Sequence, residues 1–516
     1  MGQAQVKRLK GRDLGKTSVN ENHMRNVISD QLQLGETNIS AIVLDPKSRD
    51  DIPHLLRGLQ YIYMNRELRT AVFSILKEML PPRVKSEGLA SPNRGRPGMA
   101  QWNILVLGVL RLGLNADYDR IHELANQHMV IRQMLGHSDW ADASRYELQT
   151  IKDNLRLFTP DILDRINQEV VRAGHRLLNV SAAVGLNARC DSFVVETEVH
   201  FPTDTNLLFD AIRKTIQICA FGCMQQGWSE WRQVGHITRK LKMAYRHIQK
   251  LKHSTSKDED KRQAKQKEIE LAHEVYLEHA ETYLARAHDT HAKLAALGTC
   301  GAVCDEIAVY MGHARRQIDQ IRRRVLKGER IPHGEKVFSI FQPHTEWISK
   351  GKAGVPVELG LRVCVIEDQY RFVLHHQVME KVTDDQVAVP MVQQAKKRFG
   401  TLKSASFDKG FHSPANQIDL KEHLEQVVLP RKGRPSAAEK ERMCDPEFRR
   451  LRHKHSAVES AINALEVHGL DICPDHGIDG FKRYVGLAVL ARNIQRLGVI
   501  IREQEARRRG PYKKAA

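Results

Sequence analysis

Residues 186–199 read LNARCDSFVVETEV, and this stretch decides how the rest of the chain is interpreted. Its β-branched and aromatic residues favour a strand, with Phe193, Val195 and Val199 on one alternating face. Asp191 lies inside the stretch, where a buried carboxylate without a partner costs free energy. The sequence therefore predicts a strand that carries an acid and ends before Pro202.

Helical spacing dominates on the N-terminal side of this strand. Residues 51–80 and 145–178 each predict a helix. Between them, a helix from Met99 is followed by the turn Gly113–Asn115 and two short helices. This pattern is typical of a DNA-binding helix-turn-helix unit or of an ordinary helical bundle.

On the C-terminal side, residues 207–330 predict a helical hairpin with a polar tip, and strands dominate afterwards. The predicted strands are Lys336–Phe341, Glu358–Ile366, Tyr370–Val378, Leu402–Phe407 and Gln426–Pro430. Helices are predicted at 389–399, after Ser413-Pro414, and at about 446–467 and 479–503. The predicted class is α/β with large helical parts, in which an all-α region precedes a mixed sheet that a helical insertion interrupts.

These patterns divide the chain into six segments. They are an N-terminal arm and helix (1–98), a helix-turn-helix-like region (99–180), the first part of a core (181–210), a basic helical insertion (211–330), the second part of the core (331–505) and a basic tail (506–516).

Charge points to a polyanionic partner. The 516 residues carry a net charge of +18, and 41% of them are hydrophobic, which excludes a wholly disordered chain. Residues 211–330 contain 23 Lys and Arg against 14 Asp and Glu, a net of +9, whereas residues 181–210 are net −4. A basic helical arm is either a solvated surface or a face that binds DNA.

The cellular compartment is predicted from absent signals. No stretch approaches 18 consecutive apolar residues, and the N-terminus lacks an apolar signal core, so no membrane partner is expected. Eight cysteines are too few for a disulfide scaffold. We expect a reduced, cytoplasmic protein associated with the nucleoid.

Three acids are candidates for metal-dependent chemistry on phosphodiesters. Such a site needs carboxylates that converge from different elements around divalent ions. Asp191 lies within a predicted strand, Asp408 ends another, and Glu459 borders the apolar stripe of a predicted helix. Taken singly, each has an ordinary alternative, either as the cap of a strand end or as a partly exposed helical acid.

Four motifs in the same order resemble bacterial insertion-sequence transposases of the DDE type, with the ISNCY group as the best match. They are 190–197 with 201–205, 338–347 with Lys350-Gly351-Lys352, Phe407-Asp408-Lys409-Gly410-Phe411, and His455-Ser456-Ala457-Val458-Glu459. The resemblance covers residues 95–500 and is weakest in the helical insertion.

The resemblance implies an RNase-H-like core that binds two Mg²⁺ or Mn²⁺ ions through Asp191, Asp408 and Glu459. It further implies cleavage of double-stranded DNA at terminal inverted repeats, strand transfer into target DNA, and a homodimer or higher oligomer on DNA. A DNA nuclease without strand transfer and a domesticated transposase that only binds DNA remain alternatives.

The chain departs from its relatives around the last acid. Arg452, His455 and Glu466 occupy positions where some of them have Tyr, Arg and Lys. Other basic residues are therefore candidates for DNA contacts, and Lys409 and His412 have a solvated loop as their alternative. The candidate set is Lys350, Lys352, Lys409, His412, Arg452, Lys454, His455, Arg239, Lys240, Lys242 and Arg246.

Two cysteine pairs leave a further alternative open. Cys219 with Cys223 and Cys300 with Cys304 are each spaced by four residues on predicted helices. Four thiolates would suit zinc, although small buried side chains at helical spacing account for the same pattern.

Overall fold

The computed structural model describes residues 26–28, 32, 35–79, 98–138, 142–181, 183–349, 356–433 and 437–509. Two compact units divide the chain. One comprises Met1–Gly185, Arg371–Val373 and Gly486–Ala516, and the other comprises Leu186–Tyr370 and Leu374–Val485. Residues 80–97 of the N-terminal arm and the end of the basic tail lie outside the described residues.

The first unit is helical. Its helices are α1 (Ile52–Met64), α2 (Arg66–Lys77), α3 (Gln101–Gly113), α4 (Tyr118–Gln127), α5 (Met129–Met134), α6 (Leu148–Leu155) and α7 (Pro160–Leu177). The three helices predicted after Met99 are confirmed, whereas 51–80 and 145–178 contain two helices each where one was predicted. Asn65 has an extended backbone and its side chain caps α2, and Thr159 with Pro160 begins α7 anew.

Glycines let helices of the first unit approach closely. A Cβ at Gly58 in α1 would lie 2.3 Å from the carbonyl oxygen of Ile494, and one at Gly498 would lie 1.9 Å from that of His54. Since both distances are far below van der Waals contact, only glycine permits this packing of α1 against the C-terminal helix.

That C-terminal helix is long and apolar enough to cross a membrane. However, 72% of its most apolar window is buried within the protein. Because the buried core helix of a globular protein meets the same criteria of length and composition, it is weak evidence for a membrane span.

The second unit contains a mixed sheet of seven strands in the described part of the chain. The strands are β1 (Leu186–Thr197), β2 (Glu346–Ser349), β3 (Val357–Asp368), β4 (Val373–Met379), β5 (Leu402–Phe407), β6 (Gln426–Val428) and β7 (Ile472–Cys473). Their order is β2-β3-β1-β5-β6, with β4 also paired to β3 and β7 to β1. β1 is antiparallel to β3 and parallel to β5, so the acid-bearing strand is central.

The prediction of a strand at Lys336–Phe341 is wrong, because these residues form a loop. In this loop Ile340 is buried in the core of the helical insertion, Phe338 packs against Trp347 while half-buried, and Phe341 is exposed. The apolar residues of this segment therefore serve loop contacts. The strand next to β3 at this edge of the sheet is instead β2, which is too short to show the alternating pattern of a strand.

The insertion after β1 has four helices where a two-armed hairpin was predicted. They are α8 (Asp204–Gln225), α9 (Val234–Lys250), α10 (Glu259–Ala296) and α11 (Gly301–Ile321). Gly227 and Gly298 have positive φ angles just after α8 and α10, where a left-handed residue ends a helix. The four helices enclose an apolar core of their own.

Six further helices follow β4 in the part of the chain that the structure describes. They are α12 (Asp384–Arg398), α13 (Pro414–His423), α14 (Ala437–Cys444), α15 (Pro446–His455), α16 (Ala457–Leu465) and α17 (Gly477–Arg509). Four of them, α12, α13, α15 and α16, pack against the sheet. The helix predicted at 446–467 breaks at Ser456, yet Phe448, Leu451, Val458 and Leu465 of its predicted stripe are buried. The helix predicted from 389 begins at Asp384, because Thr383 and Gln386 form a capping box there.

Candidate active site

Asp191 and Asp408 occupy equivalent positions on neighbouring parallel strands. The ladder between β1 and β5 ends with Cys190 opposite Phe407, and the next residues are the two acids. Asp191 is half-buried, and Asp408 is exposed at the point where β5 gives way to a turn. The strand register thus places both carboxylates side by side on one face of the sheet, at the end of β5.

A hydrogen bond anchors the end of α15, the helix just before the third acid, to the same sheet. The Nδ1 atom of His455, at the end of α15, lies 3.0 Å from the hydroxyl of Ser406 in β5. Ser406 pairs with Arg189 in the ladder, so its side chain shares the face of β1 that carries Asp191. Glu459 follows His455 by four residues and is exposed in the first turn of α16.

The acids are close enough to affect one another electrostatically. Burial is the largest cause that raises the pKa of Asp191, to about 6, and the charges of Asp408, Asp384 and Glu459 raise it further. The hydrogen bond from the amide of Ser192 acts in the opposite direction.

No cation neutralises these carboxylates within the described part of the chain. Asp191, Asp408 and Glu459 form no ion pair with any described Lys or Arg. Arg189, two residues before Asp191, instead contacts Glu367 at 3.4 Å. Repelling carboxylates that lack a cationic partner are the donor set that a hard divalent ion prefers.

Asp384 is an additional acid that sequence reasoning missed. It begins α12, and its carboxylate accepts a hydrogen bond of 2.6 Å from the hydroxyl of Ser192. The segment Thr383-Asp384-Asp385-Gln386 is typical of any helix start, so the only signal in the sequence indicated a cap.

The donor chemistry fits a divalent cation, but the side chains are not closed around one point. No group of three or more His, Cys, Asp or Glu side chains among the described residues is arranged to hold a metal ion. Mg²⁺ keeps several of its waters and takes one or two protein carboxylates, so it requires less convergence than an all-protein cage.

The four insertion cysteines are free and buried. Burial is the first cause that raises the pKa of Cys219, to about 12, and Cys223 and Cys304 add to it. All four belong to the apolar core of the insertion, which accounts for their helical spacing without a metal.

The DNA-contact candidates near the acids differ in exposure. Lys409, Arg452 and Lys454 are exposed, whereas His412 and His455 are half-buried. His412 has an interaction partner of its own. Lys350 and Lys352 lie outside the described residues.

Helix α9 carries the other candidates on an exposed surface. Arg239, Lys240, Lys242 and Arg246 are exposed, and α9 contains no Asp or Glu. Within the described structure none of the four forms an ion pair. By contrast, Lys261, Arg262 and Lys265 of α10 each contact a nearby acid.

Comparison with known proteins yields no relative. No family model, curated protein or solved structure matches the chain at a significant level.

Proposed function

We propose that this chain is a DDE-type transposase that cleaves DNA at the ends of a mobile element and joins the freed end to target DNA. One observation carries the proposal. Asp191, Asp408 and Glu459 come from three separate elements of one mixed sheet and its flanking helices, and the strand register sets Asp191 beside Asp408. The charges of Asp408 and Glu459 both act on Asp191. The interruption of that sheet after β1 supports the RNase-H-like interpretation.

In this proposal, the three carboxylates hold two Mg²⁺ or Mn²⁺ ions. Bound ions would activate the attacking oxygen and stabilise the leaving one. Asp191 and Asp408 present their carboxylates side by side where the pairing of β1 with β5 ends. Glu459 supplies a third carboxylate from α16. Exposure of Asp408 and Glu459 leaves this side of the sheet accessible to a phosphodiester.

The basic face of α9 would bind the DNA backbone. Cations without acidic partners release counterions from DNA when they contact phosphates. Arg239, Lys240, Lys242 and Arg246 meet this condition. The acids and the face of α9 would thus divide cleavage and binding between them.

Cleavage of DNA that carries the gene's own flanking sequence tests the proposal. The purified chain should nick such DNA only with Mg²⁺ or Mn²⁺, and should join a precut 3′ end to a second duplex. Asp191→Asn, Asp408→Asn and Glu459→Gln should each reduce both reactions to background while DNA binding persists. Glu466→Gln is the matched control, because Glu466 is exposed two turns beyond Glu459.

The outcomes separate the candidate functions. Cleavage without joining would instead support a nuclease, and binding without either reaction would support a DNA-binding protein. Full activity in all three acid variants would overturn the site.

A further inference from the structure

Asp384 bonds to the residue beside Asp191 and lies near the turn that follows Asp408. Its Oδ1 atom accepts the hydrogen bond from Ser192, which directly follows Asp191. Its Oδ2 atom lies 2.9 Å from where a Cβ would stand on Gly410, two residues after Asp408. The absence of a side chain at Gly410 is what allows this approach.

A capping role does not account for these contacts. An acid in the first turn of a helix interacts favourably with the helix dipole wherever it points. The N-terminus of α12 is already capped by the capping box of Thr383 and Gln386. The hydrogen bond with Ser192 is additional to what the helix start requires.

Asn416 links the start of α12 to the turn after Asp408. The buried side chain of Asn416 donates hydrogen bonds to the carbonyl oxygens of Asp385, at 2.7 Å, and of Phe411, at 2.8 Å. Asn416 therefore holds the start of α12 against the turn after Asp408.

Strand alternation shows how Asp384 would act. Successive side chains of β1 point to opposite faces, so Ser192 projects away from the face that carries Asp191. The carboxylate of Asp384 thus contacts β1 on the face of the sheet opposite to the one that carries Asp191.

We infer that Asp384 is a positioning residue that fixes Asp191 through the Ser192 hydroxyl, from a helix start that Asn416 also bonds to the turn after Asp408. This inference rests on the proposed function, because it assigns the carboxylate a task at that site. Outer partners of metal ligands typically change metal affinity or activity by about 10- to 100-fold when they are removed.

Four variants test the inference with Mn²⁺ binding, measured by electron paramagnetic resonance, and with DNA cleavage. Asp384→Ala and Ser192→Ala should each weaken both by about 10-fold or more, and the double variant should be no worse than either. Asp384→Asn keeps an acceptor oxygen for Ser192 and should stay within a few-fold of the wild type. Asp385→Ala controls for loss of an acid in the same helix turn.

Two results of these measurements would overturn it. If Asp384→Asn is as defective as Asp191→Asn, the charge of Asp384 acts directly. If Asp384→Ala leaves Mn²⁺ binding unchanged while Asp191→Asn abolishes it, the proposed site stands and the positioning role fails.

Amide exchange supplies a readout that does not depend on DNA chemistry. Exchange in residues 407–412 should accelerate in Asp384→Ala, with unchanged thermal unfolding as the control. Unchanged exchange there would refute the inference even if the wild type neither binds Mn²⁺ nor cuts DNA, a result that by itself would refute only the proposed function.

Discussion

The imidazole of His455 has two candidate roles. The sequence suggested a DNA contact, and the structure gives it the hydroxyl of Ser406 as a partner at 3.0 Å. Burial is the largest cause that lowers its pKa, with Arg189 acting in the same direction and Asp408 and Glu459 opposing it. A neutral, half-buried ring is better suited to hold a helix against a strand than to bind a phosphate.

We therefore predict that His455→Ala reduces cleavage by about 10-fold but leaves DNA affinity unchanged. Loss of the bond to Ser406 would let α15 and α16 shift, and Glu459 with them. Cleavage rates and binding isotherms for His455→Ala, Ser406→Ala and the neighbouring Lys454→Ala would check this. A loss of affinity in His455→Ala similar to that in Lys454→Ala would favour the DNA contact.

His200 and Asp210 form a second titratable pair, with 2.6 Å between Nε2 and Oδ2. The hydrogen bond to Asp210 is the main cause that raises the pKa of His200. Burial raises the pKa of Asp210, but the hydrogen bonds from His200 and Arg213 outweigh burial, so the pKa lies below its usual value. The pair thus joins the loop after β1 to α8.

A raised histidine pKa contributes stability that is complete below about 6.5 and disappears as the pH rises through the folded value. The lowered pKa of Asp210 removes the contribution only in strong acid. His200→Gln should therefore lower the unfolding temperature at pH 6, and the difference from wild type should shrink by pH 9. A difference that is constant from pH 6 to 9 would contradict this linkage.

At the scale of single residues, the sequence singled out three acids, and the strand register places two of them, Asp191 and Asp408, on one face of the sheet. Their positions in predicted strands left ordinary alternatives open, and the resemblance to DDE transposases decided the choice of all three acids. Asp384 was missed because the residue that it bonds, Ser192, is distant in the sequence. No local pattern encodes such a contact.

Among the helices, the close approach of α1 and α17 at Gly58 yields a direct test. Gly58→Ala should destabilise the first unit by about 1–3 kcal/mol, the usual effect of overpacking, because the added Cβ would clash with the Ile494 carbonyl. Gly312→Ala is the matched control, since it lies in α11 with nothing within 4 Å of the added atom. That change should stabilise by about 0.5–1 kcal/mol. Equal effects of the two substitutions in chemical denaturation would contradict the close packing.

Secondary-structure elements were predictable where the local signal was strong. The strand Leu402–Phe407 and the start of α13 after Ser413 were predicted correctly, because alternation and an N-cap are local features. The boundaries inside the insertion were missed although Gly227 and Gly298 mark them. Long-range packing misled the prediction at Lys336–Phe341, where a loop inserts Ile340 into the core of the insertion.

For the whole molecule, the net charge of +18 predicts DNA binding that weakens with salt. Replacing Arg239, Lys240 and Lys242 with Gln should reduce the slope of log affinity against log salt by about 0.9 for each DNA phosphate that the chain no longer neutralises. The matched control replaces Lys261, Arg262 and Lys265 of α10 with Gln, because acids already pair with those cations. Equal decreases in slope for the two triple variants, measured by fluorescence anisotropy, would refute the role of α9.

The position of the insertion also has a consequence for how the sheet is assembled. Ala188 of β1 pairs with Asp368 of β3, so about 180 residues must leave the ribosome before this ladder is complete. At roughly 5–20 residues per second, the central strand waits about 10 to 40 seconds for its antiparallel neighbour. The four-helix insertion is synthesised within that interval and has its own apolar core. The nascent chain therefore passes through a stage in which a folded helical module follows an unpaired, aggregation-prone strand, and chaperone dependence during synthesis is the expected result.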